Sequence, residues 1–183
     1  NDLGGFLMGQ IVSKDLNKNI NILKTILKDC DDIGYRTIKI GKNNKREACF
    51  VFSDGLIDKS LLSEYAIQLL LTISDDSTDL NLNSTELDKI AKESIAIPEV
   101  KEEEDLDKIV DAILAGETAF FVDKANKALL LSSRGWPTRG VGEPDTETVV
   151  RGPRDGFSET LKLNTTLVRR RIRDPKLKIK NMQ

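Results

Sequence analysis

The segment DLDKIVDAILAGETAFFVDKANKALLL, residues 105–131, decides the fold class. In its first ten residues, apolar side chains recur at three- and four-residue steps, which is the period of a helix with one buried face. Gly116 then stands where a helix commonly ends in a left-handed conformation. Two apolar runs follow, Thr118 to Val122 and Ala128 to Leu131, with a polar turn between them. This pattern predicts a helix followed by a β-hairpin, and therefore a mixed α/β (α+β) fold.

The same order of elements is predicted nearer the N-terminus. A helix is expected to begin after Asp15, which is a suitable N-cap residue. Two strands are expected at Tyr35 to Ile40 and at Glu47 to Phe52. A second helix is expected from about Lys59, capped by Asp58.

Because both halves carry helix, hairpin and helix patterns, we predict two small α/β subdomains. They comprise residues 1–96 and residues 97–183, and each is expected to hold a small mixed β-sheet with packed helices. The last helix is expected from about Phe157 to Ile172, with residues 176–180 as a terminal strand. Its expected apolar stripe consists of Phe157, Leu161, Thr165, Val168 and Ile172.

The composition excludes several classes of protein. A net charge of −2 argues against a general nucleic-acid binder, because phosphate-backbone binding needs a basic excess. The chain has no histidine, which removes the commonest general base and most zinc sites. We therefore expect a protein that is not an enzyme, with neither a metal site nor a cofactor. Cys49 is predicted to be a buried small hydrophobe in a reduced chain, and a disulfide with Cys30 is the open alternative.

No stretch approaches the ~20 uninterrupted apolar residues that a membrane-spanning helix requires. The chain as given is therefore expected to be soluble.

Motifs in the second half carry a resemblance to a known family. They are SRGWPTRGVGEP (residues 133–144), EPDTETVVRGPRDGFSE (residues 143–159) and LVRRRIRDP (residues 167–175). A weaker motif in the first half is FSDGLIDKSLLSEY (residues 52–65). Together these motifs closely resemble the A-subunit family of spore germinant receptors (GerA type).

The resemblance implies a soluble N-terminal domain of an integral protein of the spore inner membrane, on its cytosolic side. It also implies B and C receptor subunits as partners, a small nutrient such as an amino acid or a sugar as the stimulus, and a role in germinant sensing or signal transduction. The membrane part would follow Gln183. The alternative role is a structural module that docks the other subunits without binding a ligand.

The candidate site residues lie in and beside the Arg/Gly-rich motifs. The arginines among them would surround a helix N-terminus and hold an anion or a carboxylate. Alternatively, they pair with nearby acids, Glu143, Asp145, Glu147 and Asp155, and brace the loop. Trp136 is either a ligand platform or a loop anchor. The candidate ligand or subunit contacts are Arg134, Trp136, Arg139, Glu143, Arg151, Arg154 and Asp155.

A second basic cluster lies at the C-terminal end of the last predicted helix. It consists of Arg169, Arg170, Arg171 and Arg173. Positive charge late in a helix interacts favourably with the helix dipole and can bond the last carbonyls. A role at a membrane surface or a partner surface is the other interpretation, since basic clusters attract anionic lipid.

Overall fold

The computed structural model describes residues 9–40, 46–75, 100–135 and 160–182. In these ranges the helices are α1 (Leu16–Ile26), α2 (Lys59–Asp75), α3 (Leu106–Leu114) and α4 (Leu161–Arg171). The strands are β1 (Ile33–Ile40), β2 (Arg46–Ser53), β3 (Val100–Glu103), β4 (Thr118–Val122) and β5 (Ala128–Leu131). The predicted mixed α/β class is confirmed. None of the helices in the described ranges has the length and apolar content that a bilayer crossing requires.

All five described strands belong to one antiparallel sheet with the order β1-β2-β4-β5-β3. This differs from the expectation of a separate mixed sheet in each half, because β2 pairs with β4 and places Phe50 opposite Phe120. An isolated two-stranded hairpin is marginally stable, and joining the two hairpins gives both a buried neighbour. The predicted subdomain boundary between residues 96 and 97 lies outside the described residues and stays a prediction.

Helices cover both faces of the sheet. Cys49 and Phe121 point toward α1 and α3, where Leu23 and Ile113 complete one apolar cluster. Phe50 and Phe120 point to the opposite face, and they pack in a second cluster with residues of α2. Successive strand residues therefore alternate between two cores, which explains why β4 is buried along its whole length.

The helix ends follow local sequence signals. Asp15, Asp58 and Asp105 each accept a hydrogen bond from a backbone N–H in the first turn of the helix that follows, at 3.1, 2.8 and 2.9 Å. Gly116 follows α3 with φ +94°, a left-handed conformation that favours glycine. The N-caps predicted at Asp15 and Asp58 are confirmed, and so is the helix-ending role predicted for Gly116.

Helix α4 begins at Leu161, and the expected residues 157–159 lie outside the described part of the chain. The expected apolar stripe is wrong, since Leu161 is 71% exposed and Ile172 is 47% exposed. The buried side chains of α4 are instead Thr166 and Arg169. The helix faces the polar end of the β1–β2 hairpin, so its inner side chains are hydrogen-bonding ones. Residues 176–180 form no strand.

Burial of Tyr35 links the stability of the fold to alkaline pH. Burial raises the pKa of its phenol to about 12, and the nearby Cys30 and Cys49 thiols add to the rise; a free phenol titrates near ~10. The pKa of Tyr35 is higher in the folded chain than in the unfolded chain. The contribution of its neutral phenol to the free energy of unfolding is therefore complete below about pH 10 and is lost as the pH rises toward 12.

We expect the tyrosinate absorbance at 295 nm to show a titration step near pH 12 in the folded chain. Tyr35→Phe should remove this step and flatten the alkaline decline in stability. A native protein in which the Tyr35 step falls at the ordinary phenol value would contradict the assignment.

Candidate functional site

Arg134 is the only predicted site residue within the described ranges. Its guanidinium donates to Glu117 at 2.8 Å, and its side chain is 45% exposed. Arg134 thus pairs with an acid that we did not predict, and its expected pairing with the acids of the motif stays a prediction. The other candidates, which are Trp136, Arg139, Glu143, Arg151, Arg154 and Asp155, lie outside the described residues and stay predictions.

The chain just before Arg134 is tightly anchored. The hydroxyls of Thr118 and Ser133 share a buried hydrogen bond of 2.7 Å. The backbone N–H of Asp58 donates to the Ser133 carbonyl at 2.8 Å, and the Tyr65 hydroxyl donates to the Ser132 carbonyl at 2.8 Å. The start of the Arg/Gly-rich motif is thus fixed against the N-terminus of α2.

A cavity of about 310 Å³ lies elsewhere, between α4 and the β1–β2 end of the sheet. Its walls carry charged side chains of both signs, together with two apolar side chains. The residues that define it are Asp31, Asp54, Leu161, Lys162, Arg169 and Ile179.

A buried ion pair forms one wall of this cavity. Arg169 is 1% exposed, and its Nε and Nη2 donate to the two carboxylate oxygens of Asp32 at 2.7 and 3.0 Å. Burial alone would lower the pKa of the Arg169 guanidinium, but the hydrogen bonds and the charge of Asp32 outweigh it and raise that pKa. The pair therefore stays charged, and its planar two-point geometry is one that lysine does not reproduce.

A second set of charges surrounds Asp54, which also lines the cavity. Asp54 accepts from Lys59 at 2.7 Å and from Lys162 of α4. Burial would raise the pKa of Asp54, but the hydrogen bonds and charges of these two lysines outweigh it and lower the pKa. Lys162 is half exposed, so its ammonium group is accessible to a ligand as well as to Asp54.

Helix α4 approaches the hairpin closely beside these charges. A Cβ atom added at Gly55 would lie 2.1 Å from the Thr166 hydroxyl oxygen. The absence of a side chain at Gly55 is therefore what allows α4 to sit on the end of β2.

Residues 174–181, here called the strap, follow α4 and cross the turn between α1 and β1. Asp31 donates its backbone N–H to the Ile179 carbonyl at 2.8 Å, and Asn181 donates its own N–H to the Asp31 carboxylate at 2.7 Å. Lys180 pairs with Asp29 at 3.3 Å. The strap completes the rim of the cavity.

Neither Cys30 nor Cys49 lines the cavity. Burial raises the pKa of the Cys49 thiol, which therefore stays protonated and a poor nucleophile. Among the described residues, no three His, Cys, Asp or Glu side chains lie close enough to hold a metal ion. Both cysteines are free and buried, which confirms the predicted burial of Cys49.

Comparison with known proteins identifies the family. The sequence profile described as "Bacillus/Clostridium GerA spore germination protein" matches residues 21–183. The chain belongs to the GerA family of spore germination proteins. This confirms the resemblance that the Arg/Gly-rich motifs carry.

Relatives of this GerA-family chain include Spore germination protein KA of Bacillus subtilis (strain 168), 31% identical over 173 residues. Another is Spore germination protein GerLA of Bacillus cereus, 33% identical over 151 residues. These matches cover 94% and 82% of the chain but 31% and 30% of the relatives, so the chain spans just under a third of their length.

A solved structure shows the same fold. It is described as the N-terminal domain of the A subunit of the Bacillus megaterium spore germinant receptor GerK3, with a TM-score of 0.69 and 24% sequence identity. The match covers 91% of this chain and 58% of the other. The fold of the GerA-family chain is therefore one already observed in a germinant receptor subunit.

Sequence reasoning missed the cavity and the Arg169–Asp32 pair of this GerA-family chain. Arg169 stands in a run of three arginines, and only helix phase distinguishes it from its neighbours. Lys162, Thr166 and Arg169 follow one another at four- and three-residue steps, so they share a face of α4. This polar face was the sequence signal that could have located the buried Arg169, and we had expected an apolar stripe on the inner side of the helix instead.

Proposed function

We propose that this chain is the N-terminal domain of a germinant receptor A subunit and acts in germinant sensing or in the signal transduction that triggers germination. Family membership and the fold shared with the GerK3 domain support the proposal. The observation that carries it is the cavity of about 310 Å³ beneath α4. Its volume is at the lower end for small-molecule sites.

The charges of the cavity favour a small polar nutrient. Lys162 offers a cation, while Asp31 and Asp54 offer carboxylates, so a zwitterion such as an amino acid finds a partner for each of its charges. Leu161 and Ile179, which also line the cavity, supply apolar contact. Binding there would act on α4, since the same side chains hold this helix to the sheet.

Among the described residues that precede α4, those that line the cavity belong to two short segments, at residues 31–32 and 53–55. A ligand that contacts α4 and these turns together would favour one position of the helix over others. Such a change in relative position is how closure around a ligand transmits a signal. The role proposed for the chain is therefore non-enzymatic.

A titration of the chain with amino acids and sugars tests direct sensing. We expect one of these compounds to shift the backbone amide resonances of Gly55, Lys162 and Thr165, while the Arg134 amide, which lies outside the cavity, stays in place. Lys162→Ala should weaken binding at least tenfold. Lys108→Ala, which removes an exposed lysine of α3, is the matched control. Absence of any resonance or heat response across the panel would exclude sensing by this domain.

The alternative function is docking of the B and C receptor subunits at the spore inner membrane without a ligand. It is favoured by β1, which is an edge strand of the described sheet and exposes Arg36 and Lys39. Sheet edges can pair with a strand of a partner. Capture of B or C by the chain, lost on Arg36→Glu and Lys39→Glu, together with a silent nutrient titration, would select this function.

A further inference from the structure

One side chain joins α4, the strap and the start of β1. Besides its two bonds to Asp32, Arg169 donates from Nη1 to the Asp174 carbonyl at 3.1 Å and from Nη2 to the Leu177 carbonyl at 3.0 Å. Its donors are therefore divided between a fixed carboxylate of the turn before β1 and the backbone of the strap. The guanidinium fork makes this division possible, since five N–H groups point outward in one plane.

Most other contacts of the strap are weak or exposed. The Lys180–Asp29 pair is an exposed ion pair, which contributes little in water. Leu177 and Ile179 are only half-buried, so the strap adds little apolar burial. Segments with few buried apolar contacts open locally at a lower free energy than the core does.

We propose that Arg169 is the latch of a releasable strap, which leaves the α1–β1 turn as a unit when the Arg169–Asp32 pair is broken while the sheet stays folded. An unpaired guanidinium that remains buried is strongly unfavourable, and opening to water relieves that cost. Since Arg169 also lines the cavity, the strap would respond to its occupancy. This last point rests on the proposed function, but the release itself needs no ligand.

Cys30 is a built-in reporter of strap release. Its side chain is buried, and its thiol lies 3.5 Å from the Leu177 carbonyl and 3.9 Å from the Lys178 amine. Removing the strap would expose the thiol to solvent. Cys49, in contrast, is covered by the sheet and its helices rather than by the strap.

The experiment measures the rate at which the Cys30 thiol reacts with dithiobis(nitrobenzoate) in a chain carrying Cys49→Ala. Arg169→Lys keeps the positive charge but loses the fork, so we expect the Cys30 rate to rise at least fivefold. Arg171→Lys, on the exposed side of α4, should leave the rate within twofold of the parent. Hydrogen exchange at Phe120 and Leu129, which pair in β4–β5, should not change, which shows that the core stays closed.

A rise in the Cys30 rate of less than fivefold would overturn the latch. So would an equal acceleration of Cys30 labelling and of hydrogen exchange in β4 and β5, because the opening would then be global unfolding. These results are independent of the nutrient titration. If no nutrient gives a response but Cys30 is labelled rapidly in Arg169→Lys, direct sensing is excluded and the latch is supported. If a nutrient binds but the Cys30 rate does not rise, direct sensing is supported and the latch is excluded.

Discussion

Arg169→Met is expected to lower the free energy of unfolding by up to about 3–5 kcal/mol, because it leaves the largely buried carboxylate of Asp32 without its partner, and release of the strap to water recovers part of that cost. Two strap carbonyls, those of Asp174 and Leu177, also lose their donor. Methionine has a similar length and fills the space, so the loss arises mainly from the unpaired charge and not from a cavity. Urea unfolding followed by circular dichroism measures the change.

Arg171→Met is the matched control, since it removes the same charge two residues further along α4 from an exposed position. Its expected effect is within about 0.5 kcal/mol. The double variant Asp32→Leu with Arg169→Met should lose less than the sum of the two single variants, because no buried charge is left alone. Additive losses, or a loss for Arg169→Met no larger than for Arg171→Met, would mean that the pair is not buried as described.

Gly135→Ala is expected to destabilise the fold by about 1–3 kcal/mol or more, through overpacking at the N-terminus of α2. A Cβ atom at this position would lie 2.7 Å from both the backbone nitrogen and the Cα atom of Asp58. This backbone cannot move away cheaply. The Asp58 N–H donates to the Ser133 carbonyl, and the Asp58 carboxylate caps α2 through Ser60.

Arg134→Ala is the control for Gly135→Ala, because it alters the preceding residue and removes only a partly exposed ion pair with Glu117. We expect it to cost no more than about 1 kcal/mol. Thermal and urea unfolding compare the two variants. If Gly135→Ala were as stable as the parent, the close approach between the Arg/Gly-rich motif and α2 would be wrong.

The sequence predicted the central elements closely. The bounds of β4 and β5, Thr118–Val122 and Ala128–Leu131, agree with the prediction residue by residue. The helix caps at Asp15 and Asp58 were likewise predicted. These features depend on neighbours within a few positions, so periodicity, capping chemistry and turn composition are sufficient to locate them.

The family was also evident from sequence, because contiguous motifs carry it. The candidate site was predicted less well. Of the seven proposed residues, the structure describes only Arg134, which pairs with Glu117 of the turn after α3 instead of an acid of its own motif. Local spacing identified a charged loop but gave no information about which distant acid would face it.

The amino-acid sequence alone thus determined the element types, their caps and the family, since each depends on residues that are close together in the sequence. Tertiary structure alone decided that β2 and β4 pair to make one sheet and that α4 turns a polar face inward. The physical reason is separation along the chain, since Asp32 and Arg169 are 137 positions apart. Which of several arginines is buried, and therefore requires a carboxylate partner, depends on how the folded chain packs.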